Sequence, residues 1–308
     1  MFASRFRDWL LFTATGCILY SIGLVSPMLT LPVTLIFSFP TAFLAFEYGA
    51  AWAMSSALFS SLAMGLAISL DFGLMYFLTF GFPGAVIGIL AKSGPKGGDL
   101  LMAAGAAEFL GKLAGVLIFH LFHGINLLSP STAEVEKSIM AYGGTALKNG
   151  EAAHLVIERV VLLAPYGVIL FSAIEALFCL MLLSYIHRKR TGEAVYSPPP
   201  FKDWRFPKSI LLALVVGFIC GQISSGDNGS YLMRQIGANL TELSRTIFIL
   251  QGLSCAYFLM ERKGVSKPVR ITAMLLTPFM PLLGEMSAIL GVADMGFNLR
   301  ERIEGGSR

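Results

Sequence analysis

Long apolar runs interrupted by short polar stretches organise this chain from end to end. A helix needs about 20 apolar residues to cross the hydrocarbon of a bilayer. Read against that length, the pattern predicts crossing helices near 9–25, 29–47, 50–70, 72–91, 100–122, 162–187, 208–223, 238–260 and 271–292. The longest connection, 125–160, carries Glu134, Glu136, Lys137, Lys148, Glu151 and Glu158 and shows patches of helical period, which predicts one or two amphipathic helices on the outer surface. The expected fold is therefore all-α: a polytopic transmembrane bundle of eight or nine spans. A six-span unit covers 1–190, a proline-rich linker covers 191–207, and 208–308 adds two or three membrane helices and a tail.

Basic residues set the orientation, because Lys and Arg gather in cytoplasmic loops. With the N-terminus inside, inner segments hold fourteen, from Arg5 and Arg7 through Arg188, Lys189 and Arg190 to Arg270, while outer loops hold four: Lys137, Lys148, Arg159 and Arg234. Nine crossings would leave Arg300, Arg302 and Arg308 outside, against that trend. Pro278 and Pro281 interrupt the last run, and proline breaks the helical ladder, so a broken or re-entrant last helix would restore an inside tail. The sequence leaves both readings open.

Composition sharpens the class. Of 308 residues, 55% are hydrophobic and 14% charged, against about 25% charged in soluble domains. This excludes a soluble enzyme and a disordered chain. The net charge of +4 is accounted for by loops facing anionic headgroups, with no nucleic acid implied. Cys17, Cys179, Cys220 and Cys255 lie in apolar runs without CxxC spacing and read as small buried hydrophobes. Arg5 and Arg7 before the first run resemble a signal sequence lacking a cleavage site, hence a retained anchor. The expected location is the bacterial cytoplasmic membrane.

Small residues at i+4 intervals mark close helix packing in lipid. Ala53, Ala57, Ser61, Gly65 and Ser69 form such a stripe, and Ala107, Gly111 and Gly115 another. The first stripe either packs within the chain or docks a partner membrane protein. Charges inside the membrane need a local reason, since each costs about 2.5–3.5 kcal/mol to insert at the centre. Glu108 and Lys112 sit one turn apart, Glu175 lies in the middle of its helix, Glu242 and Arg245 form a second close pair, and Glu285 follows the two prolines. Lys112 matches Glu175 in depth; Arg245 is the other candidate partner. His120 and His123 make an HxxH pair too sparse for a metal centre, and no Ser-His-Asp order, HExxH or phosphate loop points to an enzyme or a cofactor.

Leu31-Pro32 leading to Glu47-Tyr48-Gly49, then a small-residue helix, then Gly81, Pro83, Gly84 and Gly88, resembles the six-helix substrate-binding (S) components of energy-coupling-factor transporters. The segments 200–207 (PFKDWRFP) and 290–300 (LGVADMGFNLR) look like the YybS-like family of bacterial membrane proteins. The resemblance implies an outward-opening pocket in the first six spans, with 125–160 as its lid. It departs at the first helix, where Thr13, Cys17 and Ser21 replace the alanines through which such components dock. The expected function is solute binding or transport, through Glu108, Lys112, Glu175, Arg245, Glu285 and His120. The alternative is a non-transporting scaffold that recruits envelope or signalling partners through the basic segment 188–208 or through Ala53, Ala57, Ser61 and Gly65.

Overall fold

In hydrocarbon a backbone N–H or C=O finds no water, so each apolar run must satisfy its own hydrogen bonds as a helix. The computed structural model obeys this: residues 2–124, 128, 151–224 and 230–305 are described, and among them there is helix and turn but no strand. The chain divides into two units, Met1–Ser197 and Pro198–Arg308, with the boundary inside the proline-rich segment.

The first unit contains α1 (Phe2–Val25), α2 (Pro27–Thr34), α3 (Phe39–Tyr48), α4 (Ala50–Ala67), α5 (Leu70–Tyr76), a π segment (Phe77–Gly81), α6 (Phe82–Ser93), α7 (Gly98–His123), α8 (Glu151–Leu162) and α9 (Ala164–Thr191). The second contains α10 (Ser209–Ile223), α11 (Tyr231–Arg262), α12 (Lys267–Leu276), α13 (Pro281–Phe297) and α14 (Leu299–Gly305). Among the described residues six helices are long and apolar enough to cross a bilayer: α1, α4, the continuous Leu70–Ser93 helix, α7, α9 and α11.

Two expected crossings take shorter forms. The run 29–47 is two helices, separated by a turn at residues 35–38. Pro40, without an N–H, starts α3 rather than continuing α2. The run 208–223 is α10, only 15 residues long.

Glycine lets the helices of the first unit touch. A Cβ at Gly88 would collide with the carbonyl of Ala42 and the side chain of Ala45, and one at Gly84 with Ser38 and Thr41. The α3–α6 crossing therefore exists only because these positions lack side chains. Phe39, Phe43, Ile87, Leu100, Leu180 and Leu183 fill the core around it. The α4 stripe is used the same way. Ala53 and Ala57 are fully buried, the Ser61 hydroxyl donates to the Gly73 carbonyl at 2.8 Å, and Gly73 packs against Gly65. Ser61 and Gly65 seat α5, Ala57 meets Gly81 of the π segment and Ala53 packs with Leu44, Ala45 and Ala85, so the stripe is used within the chain; Leu58, Phe59, Leu62 and Leu66 are the exposed large apolar residues of α4.

In the second unit, contacts between α11 and α13 fix the path of the last apolar run. Gly252 packs on Ser287 and Gly291, Arg245 bonds Glu285, Gln251 bonds Asp294 at 2.5 Å, and just past α13 Ser254 meets Arg300 of α14 at 3.0 Å. Numbers rise together along both helices, so α11 and α13 run parallel. The chain between them must travel back before α13 begins. It does so through α12, which is bent by 106° from α13 across the turn Thr277–Phe279. The last apolar run is therefore a sharply bent helix pair and not one straight span. Arg262 closes the path by donating to the carbonyl of Ile303 at 2.6 Å, which puts the tail beside the end of α11.

Gly88→Leu should lower stability by about 3 kcal/mol or more by forcing α3 from α6. Gly105→Ala, whose Cβ meets only Ala173 Cα at 3.9 Å, should leave it nearly unchanged. Thermal unfolding of the purified protein in detergent reads both. For topology, single cysteines at Lys263 and Arg302 should label from the same side of the membrane with an impermeant maleimide, whereas a complete last crossing would expose them on opposite sides.

Candidate functional site

Three ionisable side chains converge inside the first unit. Helical spacing puts Glu108 and Lys112 on one face of α7, and α9 brings Glu175 against them from across the bundle. The Lys112 Nζ lies 3.2 Å from Glu108 Oε2 and also donates to Glu175 Oε2. Glu108 is wholly buried, Glu175 is 4% exposed, and the Lys112 side chain, at 14%, is the most open of the three. Lys112, which matches Glu175 in depth along the sequence, is its partner in the structure.

The cluster is not closed. Among the described residues, neither the buried Glu108 Oε1 nor the buried Ser38 hydroxyl completes a hydrogen bond. If all three groups are ionised, two carboxylates face one ammonium. An unbalanced charge in so dry a place is costly, so the cluster calls for a further proton or cation.

Lys112 and Glu175 are among the residues that line an open, largely apolar cavity of about 450 Å³ between α2, α5, the π segment, α7 and α9. Its walls are apolar, with Phe80, Val116 and Phe171 among them, and Thr30, Thr34 and Thr79 add hydroxyls. Thr79 Oγ1 is buried and unbonded, and Gly115 leaves it room, since a Cβ there would strike it. Gly167 has nothing within 4 Å of where its Cβ would be, which keeps the α9 wall open. Apolar walls with a few placed polar groups, at this size, are the usual make-up of a small-molecule pocket. Phe80 also lies under Lys112, its ring centroid 6.0 Å from Nζ, a cation–π contact that helps hold the ammonium.

The other residues singled out from the sequence lie elsewhere. His120 is exposed on α7 and does not line the cavity; its neighbour His123 bonds Asp71 Oδ2 at 2.8 Å. Arg245 and Glu285 belong to the second unit. There the Arg245 guanidinium binds Glu285, with Nε at 3.1 Å, and Glu242 at 3.4 Å. The expected single constellation of six residues is thus two: a buried cluster at Lys112 and a more exposed one at Arg245, 42% open. Arg245 is satisfied by carboxylates on α11 and α13, which removes the reason to seek it beside Glu175. Of the 125–160 segment, only Leu128 and 151–160 fall within the described residues, the latter in α8, so its lid role lies outside them.

One further network was not read from the sequence as a site. Asp294 and Arg300, each about 3% exposed at the side chain, pair at 2.7 Å. Gln251 donates to Asp294, and Arg300 donates to Ser254 and to the carbonyls of Lys202 and Trp204, at 2.6 and 2.9 Å. The reversal that allows the pair is Asn298, at φ 50°, the left-handed end of α13. Its signal in the sequence was an aspartate inside an apolar run, six residues before an arginine. The segments 200–207 and 290–300 therefore meet, and their polar residues pin the linker to α11 and α13.

A multi-helix bundle with buried charge and lipid-length apolar helices defines a multi-pass membrane protein. The chain belongs to the family described as "Predicted membrane protein (DUF2232)", which it matches over residues 15–295. It is also similar to "Uncharacterized protein YybS" of Bacillus subtilis (strain 168), 23% identical over 195 residues, or 59% of this chain. The aligned region spans 61% of that relative's length. No solved structure matches.

Removing one partner of a buried ion pair leaves the other charge stranded, at about 3–5 kcal/mol. Arg300→Met should therefore destabilise the protein by that amount, and Asp294→Asn added to it should recover part of the loss. Unfolding midpoints of the two variants in detergent check the order.

Proposed function

We propose that the protein binds a small solute in the cavity of its first unit and serves the passage of that solute across the bacterial cytoplasmic membrane. One observation carries the reading: the 450 Å³ cavity is lined in part by Lys112 and Glu175, with Glu108 Oε1 left unpaired behind them. Surplus carboxylate favours a solute bearing an amine or another cationic or proton-rich group, which would sit by Glu175 while its apolar part meets Phe171 and Val116. Glu108 holds Lys112 in place, and Lys112 sets how much negative charge the solute meets.

The proposed topology has a cytoplasmic N-terminus and eight complete crossings. In it α2 with α3 make the second and α10 the seventh, followed by the re-entrant α12–α13 pair. It keeps the tail with its arginines inside, in line with the basic-residue bias. The likeness to S components of energy-coupling-factor transporters belongs to this proposal as well. Coupling through α1 would need a different contact, since Thr13 is buried and bonded to Ser56 at 2.7 Å. A scaffold docking through the α4 stripe is the less favoured reading, because that stripe is used within the chain.

The test is to purify the full chain in mild detergent and identify co-purifying small molecules by mass spectrometry. Glu175→Gln, which removes a charged hydrogen bond, should reduce the bound solute by about tenfold or more, and Gly167→Leu, at a position where an added Cβ meets nothing within 4 Å, should reduce it by filling the cavity. Unchanged solute in both variants would place binding elsewhere and end this reading.

A further inference from the structure

The second unit holds another cavity, of about 490 Å³, which nothing in the proposed solute path uses. It lies between the 200–202 segment, the last turns of α11, and α12. One part of its lining is cationic, with Lys202, Lys267 and Arg270; the other is apolar, with Phe201, Met274 and Leu275. Three cations face one carboxylate. Glu261 pairs with Lys202 at 2.8 Å and with Arg270 Nη1 at 2.6 Å, and Lys267 is exposed at the mouth.

Arg270 is the unusual member. It is 8% exposed, its guanidinium carbon rests 4.6 Å from the centre of the Tyr257 ring, and its Nε is buried with no hydrogen-bond partner. A guanidinium offers five donors in a fixed fork that suits phosphate oxygens. Here a single carboxylate must serve both Arg270 and Lys202. Donors remain unfilled in a cavity that carries excess positive charge.

We infer that this cavity binds the phosphate of an anionic phospholipid, with Arg270, Lys202 and Lys267 on the headgroup and α12 along an acyl chain. The apolar part of the lining argues for lipid over a free phosphate compound. It continues onto the exposed face of α12, where Val269, Ile271, Leu275 and Leu276 stand open. Basic residues at the start of α12 suit the headgroup boundary, and the apolar residues along its exposed side suit the acyl chains below it. In the proposed topology this is the cytoplasmic leaflet, where anionic lipids concentrate. The inference draws on the second unit alone, so loss of the solute reading would leave it standing.

Native mass spectrometry of the delipidated full chain, titrated with dioleoyl phosphatidylglycerol or dioleoyl phosphatidylcholine, tests it. At about fivefold per basic side chain, the anionic lipid should bind at least that much more tightly than the zwitterionic one. Lys267→Gln, an exposed change, should remove about fivefold of the preference, and Arg270→Lys should retain more of it than Arg270→Gln. Leu275→Asn, a neutral polar change, should weaken the lipid but not glycerol 3-phosphate. Equal retention of the two lipids, or a preference untouched by Lys267→Gln and Arg270→Gln together, would overturn the inference. Glycerol 3-phosphate binding as tightly as the lipid would overturn it in favour of a soluble phosphate ligand.

Discussion

A charge submerged in hydrocarbon must be met by another group, and the groups that can meet it sit on other helices. This constraint arranges the protein. Lys112 cannot be satisfied by its own helix beyond Glu108, so α9 has to bring Glu175 to it. Holding α7 and α9 at that distance keeps the cavity lining in place. The same rule acts in the second unit, where Arg300 reaches Asp294, Ser254 and two carbonyls of the linker. The difference between the units is completeness. The Arg300 network is closed around a full set of acceptors, whereas the Lys112 cluster keeps an unbonded carboxylate oxygen next to open volume. The closed network is structural, and the open one is the basis of the solute-binding proposal.

Much of this was legible in the sequence because lipid removes alternatives. Apolar runs of the right length have to be helices, and α1, α4, α7, α9 and α11 lie where the runs do. The Lys112–Glu175 pairing was legible too, since depth along each helix follows directly from rise per residue. Proline was the weaker guide. Pro32 and Pro40 sit in one apolar run, and hydropathy alone does not say that the chain turns between them at 35–38. Pro278 and Pro281 gave the opposite lesson, marking a real reversal whose direction only the parallel α11–α13 contacts reveal.

What the sequence could not supply was the sorting of charges into sets. Arg245 and Glu175 both lie in apolar surroundings along the chain, and depth alone made them possible partners. In the structure Glu285, arriving on α13, takes Arg245, and Lys112 takes Glu175. The threonines of the cavity were invisible for a related reason. Thr30, Thr34 and Thr79 are ordinary in a membrane helix, where a hydroxyl bonds the carbonyl a turn back. Only the breadth of the π segment at Thr79, opposite Gly115, shows that one of them faces open volume.

That π segment ties packing to the site. Five residues, Phe77–Gly81, widen the Leu70–Ser93 helix where α7 passes closest. The Leu78 carbonyl and Pro83 abut Gly111, and Thr79 abuts Gly115. A regular helix would shift the residues after it, Phe82–Ser93, by part of a turn relative to those before it. π bulges are rare and gather at functional positions. Here the bulge lies one helical turn from Lys112, on the wall of the cavity that Lys112 lines, and the two glycines that accommodate it sit at i−1 and i+3 from that lysine. The small-residue pattern of α7 is thus explained by the geometry of the site as well as by helix contact, and the same backbone irregularity that costs local regularity gives the cavity its shape.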